Sequence, residues 1–219
     1  MQDMITVIGS SYFQPITDLI ENLLKKPEPE IHAVGSGCTE NGYSVSVSIL
    51  LVTLLESYVA RLKFVRNSEE LKAQNTPDLV FELFPDYKKK VELAEVCLFR
   101  NIVVHNHVWQ LDISDVDAHG APTLKNPFEL GFNPKRNYED LVDMKSRRTR
   151  QVGLNVNPVA ANRRDAGIVF RVIWETLVFM NTKSYSDTPL GGQSVRFRGK
   201  RILFGELIKL FPQPGLPNS

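Results

Sequence analysis

Residues 96–107 read VCLFRNIVVHNH. The run is mostly apolar, yet it carries Arg100, Asn101 and His105 inside what its spacing makes a buried helix. Buried charge is unfavourable unless it is paired or used. At about 100° per residue, Leu93, Val96, Cys97, Val103 and Val104 fall on one face, with Arg100 in the middle of it. Asn101 and His105 are four apart and share one edge of that stripe. Arg100 and His105 diverge by about 140° on the same arithmetic, so a long arginine must reach round to a shared target, or the helix ends or distorts at His105.

Working outward, Asp86 reads as an N-cap for this helix, which then runs through Lys88–Lys90 to about His105. Before it, Asn67 to Pro85 reads as a polar connection with a short apolar segment, Leu79 to Phe84. Earlier still, Tyr43 to Arg66 is a long helix. Val47, Leu51, Leu54, Leu55, Tyr58, Leu62 and Val65 form its main stripe, and Ile49, Val52, Val59 and Ala60 make the far side apolar too. Such a helix is buried on two sides. Glu56 interrupts the second face, either as an exposed or paired carboxylate or as the group that orients Arg100 or His105. Met4 to Lys26 reads as a helical turn or two and then a helix, with Pro15 in its first turn. Residues 27–42 read as a loop holding His32 and Cys38, too few ligands for a metal site.

Downstream, Val108 to Val116 and Gln151 to Val156 both alternate, a strand signal, and read as the paired stem of a long excursion. Between them lie a possible helical turn at Tyr138 to Met144 and a basic run containing Lys145, Arg147, Arg148 and Arg150. An insertion of this length is often functional. Asn157-Pro158 reads as the start of the next helix, whose core stripe is Ala166, Val169, Phe170, Ile173, Leu177 and Met180. A second basic cluster, Arg196, Arg198, Lys200 and Arg201, lies in a short strand or turn pair before a terminal helix and a Pro-rich tail. The expected class is mainly α with a small β-hairpin and loop insertion. Its parts are an N-terminal helix and loop (1–42), a helical domain (43–190) with the excursion at about 108–157, and a basic C-terminal segment (191–219).

Arg-Asn-x-x-x-His on a late apolar helix of a helical domain resembles the HEPN family, a helical-bundle superfamily with many RNA-cleaving members. Its motif is an arginine, four to six residues and a histidine, often with a polar residue straight after the arginine. Here these are Arg100, Asn101 and His105, and the resemblance covers roughly residues 45–180 as a fold. It implies a homodimer with the motif helices at the interface, and a toxin–antitoxin, abortive-infection or other defence setting, in which a protein inhibitor or antitoxin is a partner. Many HEPN-like domains are instead non-catalytic interaction modules.

The residue chemistry suits cleavage. RNA carries its own nucleophile, the 2′-hydroxyl. An imidazole titrating near neutrality can take that proton or protonate the leaving oxygen. An arginine can hold the phosphate by two donors and stabilise its growing charge, and an amide can position an oxygen without adding charge. No metal or other cofactor is required, and the products would be a 2′,3′-cyclic phosphate and a 5′-hydroxyl. His107 either flanks the cleft or simply begins the strand, the second being favoured. Alternatives for the motif are also chemical: Arg100 pairs with Glu56 or Glu95 to tie helices together, His105 caps the helix end, or Arg100 and the basic runs bind a nucleotide or small anion.

Composition sets wider limits. The chain has 219 residues, 42% hydrophobic and 23% charged, with net charge +1. Ordinary globular proteins share these values, and no global basic field announces nucleic acid, so RNA contacts must be local. The runs with Lys145, Arg147, Arg148 and Arg150 and with Arg196 and Arg198 either hold the RNA backbone, giving salt-sensitive binding, or are solvated loops. Two cysteines make no disulfide framework, and Cys97 reads as an inert core thiol. Apolar runs are interrupted by Glu, Arg or Lys, so no membrane span is expected. The N-terminus lacks signal-peptide patterning. A cytoplasmic location is the expectation.

Overall fold

A computed structural model describes residues 8–27, 40–66, 71–73, 75–105, 111–116, 122–124, 138–143, 145–188, 190 and 193–212. A 3-10 turn, Ile8–Tyr12, leads into α1 (Phe13–Leu24). Ile16, Ile20 and Leu23, spaced for one helical face, are fully buried. The next helix, α2 (Asn41–Val65), is the centre of the fold and packs against α1, α4 and α6, whose bounds follow. Val47, Leu51, Leu54, Leu55, Tyr58 and Leu62 are buried, and Ser48, Val52 and Val59 continue the same arc. On the far side, where burial was also expected, Ile49 is half-buried and Ala60 exposed, so α2 is covered over one wide face and not on two opposite ones. Against expectation, α2 is long and apolar enough to cross a membrane by length and composition. Half of that span is buried inside the fold, because a helix covered by neighbours needs the same apolar run as one covered by lipid.

Two sequence expectations fail between α2 and the motif helix. The apolar segment read at Leu79 to Phe84 is part of a helix, α3 (Thr76–Leu83), started by Asn75, whose side chain accepts the Asp78 N–H at 3.0 Å. Asp86 does not cap the motif helix, which is α4 (Lys90–His105). Instead Asp86 pairs with Lys183 Nζ at 2.5 Å. Tyr87 explains the delay: its buried hydroxyl lies 2.6 Å from that of Thr176, and the turn that aims it there closes through a Tyr87 N–H bond to the Phe84 carbonyl.

The excursion is also built differently. β1 (Leu111–Val116) pairs antiparallel with β2 (Pro122–Leu124), not with residues 151–156. After one helical turn, α5 (Tyr138–Leu141), β3 (Val142–Asp143) pairs with β4 (Arg148–Thr149). Residues 151–156 then fold back on β4, with Thr149 N–H donating to Leu154 O at 2.9 Å and Gly153 N–H to Thr149 O at 3.0 Å. Gly153 has φ of +73°, which breaks the alternation that suggested a strand.

α6 (Arg163–Lys183) starts later than Asn157-Pro158, which instead open a 3-10 turn, Pro158–Ala160. Asn162 is the cap: its side chain accepts the Arg164 N–H at 2.9 Å, and Asp165 reaches back to the Asn162 N–H at 3.1 Å. This reciprocal pair is a capping box. The expected stripe from Ala166 to Met180 is buried. A hairpin of β5 (Ser194–Phe197) and β6 (Lys200–Leu203) follows, and the terminal helix expected after it is a 3-10 helix, Phe204–Leu210. Phe204 anchors it, with ring centroids 4.7 Å from Phe13, 5.0 Å from Phe170 and 5.5 Å from Trp174. One core runs from Phe13 to Phe211, so the described parts of the N-terminal and C-terminal segments share it with the helical domain. The fold is mainly α.

Candidate functional site around Arg100

α4 has more than one packed face. Leu93, Val96 and Phe99 enter the main core, while Ile102 joins Val142, Val156 and Leu98 in a small separate cluster under β3 and β4. The buried arc therefore runs from Ile102 through Glu95, Phe99 and Val96 to Leu93 and Cys97. Arg100 falls inside it, between Val96 and Leu93, as periodicity suggested, although its own side chain is only partly buried. Phe99 and Ile102 widen the stripe on one side of the arginine.

From this position Arg100 Nη2 donates to Glu56 Oε1 on α2. The side chains are 22% and 34% exposed, so the pair holds α4 against α2 while remaining reachable from solvent. Arg100 Nε is buried and has no hydrogen-bond partner among the described residues. Around the pair, Ile49 and Thr53 on α2 and Val103 and Val104 on α4 are half-buried. Their spacings from Glu56 and Arg100 put each set on one helical face. Cys97, one turn before Arg100, is buried, and burial pushes its thiol up to about 12; Arg100 pulls the value down and Glu56 pushes it up. The thiol is the inert core group expected of it.

Asn101 is exposed, one step round the helix from Arg100. His105 is the last residue of α4, and its side chain lies outside the described residues, as do His107, His32 and Cys38. Helix geometry alone places His105 nearest the Asn101 edge. Thus Arg100, Glu56 and Asn101 are gathered at one end of α4.

Glu95 has a different task from the one considered for it. It is fully buried and does not pair with Arg100. Its Oε1 accepts the Gln151 N–H and its Oε2 the Val152 N–H, both at 2.8 Å. With the Ile102 cluster, this carboxylate fixes the segment after β4 to the motif helix. Of the first basic run, Lys145 and Arg150 are exposed, and Arg147 is half-buried at φ of 53°. Arg148 is occupied internally, its Nη1 donating to Gly153 O at 3.0 Å. Arg196 and Arg198 are exposed on the β5–β6 hairpin, which packs on α1 and not in the Glu56–Arg100 strip.

A buried polar junction at the start of α6 was missed. Glu40 is almost fully buried and takes both the backbone N–H and the Nε of Arg163, whose Nη2 reaches the Lys26 carbonyl at 2.8 Å. Asn41 Nδ2 bonds the Pro158 and Ala161 carbonyls at 2.7 and 2.9 Å. Asp165, buried nearby, accepts from the Asn155 backbone and side chain and from Asn162 N–H. The clue was a carboxylate and an amide, Glu40-Asn41, at the start of the most apolar helix. No protein-family model, no curated protein and no solved structure matches this chain.

Proposed function

We propose that the chain is a HEPN-like, metal-independent endoribonuclease in which Arg100, Asn101 and His105 act on the scissile phosphodiester. The observation that carries this reading is a partly exposed arginine, held by Glu56 on a buried helix and followed by an exposed amide. Arg100 would hold the phosphate and stabilise the charge that grows on its oxygens. Asn101 would orient the 2′-hydroxyl or a phosphate oxygen. His105 would move the proton. Glu56 would act as a positioning residue, fixing the guanidinium and keeping its charge at the rim of the core. One histidine per active centre is thin for separate acid and base steps, and two α4 helices facing one cleft would supply a second, so a homodimer is part of the proposal. A cytoplasmic defence setting with a protein inhibitor is the context that the resemblance implies.

The Arg100–Glu56 ion pair also favours a second reading, in which the arginine only ties α4 to α2 and the domain is a non-catalytic dimerisation or RNA-binding module. Labelled RNA incubated in excess EDTA with wild type, His105→Ala and Arg100→Ala separates them, with sedimentation and circular dichroism as controls. Cleavage by wild type alone, with all three folded and dimeric, supports the nuclease. Binding without cleavage establishes the module. Stabilisation by nucleotides with no response to RNA would turn the assignment toward a small-anion site.

A further inference from the structure

The β5–β6 hairpin concentrates positive charge in a way that fold stability alone would avoid. Between Ser194 and Leu203 there are four basic residues and no acidic one. Register places Arg196 directly opposite Arg201, while Val195 and Ile202 pair on the other face and pack into the core. Like charges facing each other across a ladder weaken a hairpin. The two turn residues, Arg198 and Gly199, both have positive φ, 48° and 76°. That is the type I′ pattern, which favours Asn-Gly, and an arginine is unfavourable in this region of backbone space.

The hairpin is nevertheless held firmly. Gln14 on α1 grips the backbone of Arg196 twice, its Nε2 donating to the carbonyl and its Oε1 accepting the N–H, both at 2.9 Å. Two turns along the same helix, Glu21 accepts the Arg198 N–H at 3.0 Å. α1 thus satisfies the open edge of β5 as a further strand would. The Glu21 carboxylate is also engaged by Lys25 Nζ at 2.8 Å. Arg201 Nε donates to Ser194 Oγ at 2.7 Å, and the Arg198 guanidinium lies 5.1 Å from the Phe197 ring. The exposed guanidinium of Arg196 and the ammonium of Lys200 have no partner among the described residues.

We propose that the outward face of this hairpin, Arg196 and Arg201 with Arg198 and Lys200 at the tip, grips the phosphate backbone of RNA. Residues directly opposite in an antiparallel pair stand about 5 Å apart at Cα, so two forked donors reach the same phosphate or adjacent ones. The choice of RNA among polyanions rests on the function proposed for α4. Because the hairpin packs on α1, whereas α4 packs on α2, α3 and α6, this contact raises affinity without entering the chemistry. Leu203, 54% exposed beside the arginines, makes an anionic membrane the competing occupant.

The test measures RNA affinity across a salt series in a His105→Ala background, so that substrate survives. Loss of two phosphate contacts in Arg196→Gln/Arg201→Gln flattens the slope of log affinity against log salt by about 1.4 and weakens binding roughly 10- to 30-fold at about 0.1 M salt. Arg196→Lys/Arg201→Lys keeps the slope. In the cleaving protein the Gln pair raises KM and leaves kcat unchanged. Unchanged slope and affinity, absence of RNA binding, or binding to phosphatidylserine vesicles in place of RNA overturns the proposal. If wild type never cuts RNA while the Gln pair loses salt-sensitive binding, the hairpin assignment stands and the nuclease assignment falls.

Discussion

Arg100 and Glu56, 44 residues apart in sequence, form an ion pair that joins α4 to α2 at the edge of the core. Because both side chains are partly open to water, the pair contributes little to stability, about 0.2–1 kcal/mol on precedent for exposed pairs. Arg100→Ala is therefore expected to melt close to wild type yet to lose RNA cleavage by roughly 10²–10³-fold, the effect of removing a donor to developing charge. Glu56→Gln is expected to fall between the two in activity, with a larger effect on kcat than on KM. Equal melting losses and equal activity losses in the two variants would mark the pair as a structural tie alone.

Glu95 offers a cleaner stability probe. Both of its oxygens accept backbone N–H groups, from Gln151 and Val152. In Glu95→Gln one of those donors would face an NH2 group while buried. Such an unsatisfied donor costs about 1–3 kcal/mol. Denaturant unfolding should show that loss, and hydrogen exchange should show faster exchange of the Gln151 and Val152 amides. Slow exchange at both amides in the variant would contradict the anchoring role.

Gly205 tests the packing of the terminal 3-10 helix. A Cβ there would come within 2.5 Å of Trp174 Nε1 and 2.7 Å of Trp174 Cε2. The indole is wedged against Phe13 and Phe204, so it cannot move aside without disturbing the core. Gly205→Ala is expected to destabilise by about 1–3 kcal/mol, the range for overpacking. Gly42, where an added Cβ meets nothing within 4 Å, is the control: Gly42→Ala should be neutral or stabilising, since alanine favours the helix. Thermal melts of both variants check this.

Asp165 should make stability depend on pH in a defined direction. Burial raises its carboxyl above 3.8, although hydrogen bonds from Asn155 and Asn162 and the charge of Arg148 pull the other way. A folded pKa above the unfolded one means that the native state binds the proton more tightly. The contribution is fully present below the unfolded value and is lost as pH rises through the raised folded value. The stability advantage of wild type over Asp165→Asn should therefore grow as pH falls from neutrality toward about 4. A gap that shrinks over that range would show the carboxyl to be lowered. Carbon NMR of the Asp165 carboxyl gives the midpoint directly.

Local pattern carried the helices. The stripes from Val47 to Leu62 and from Ala166 to Met180 repeat every third or fourth residue, and both are buried. The errors fall where neighbours override local preference. Asp86 resembles a cap but pairs with Lys183, because Tyr87 must reach Thr176 before α4 can begin. Residues 151–156 alternate like a strand but curl onto β4, because Gly153 turns the chain and Glu95 holds two of its amides.

The sequence by itself determined that the protein is mainly helical, that α2 is its most apolar helix and that Arg100, Asn101 and His105 share one helix, since periodicity and spacing are properties of a single segment. Only the tertiary structure decided that Arg100 belongs to Glu56 and Glu95 to the Gln151–Val152 backbone. It also decided that Arg196 and Arg201 stand side by side on a hairpin clamped to α1. An ion pair or a strand register joins residues far apart in the chain, and which of several chemically equal partners meet is set by how the helices pack, which no local pattern records.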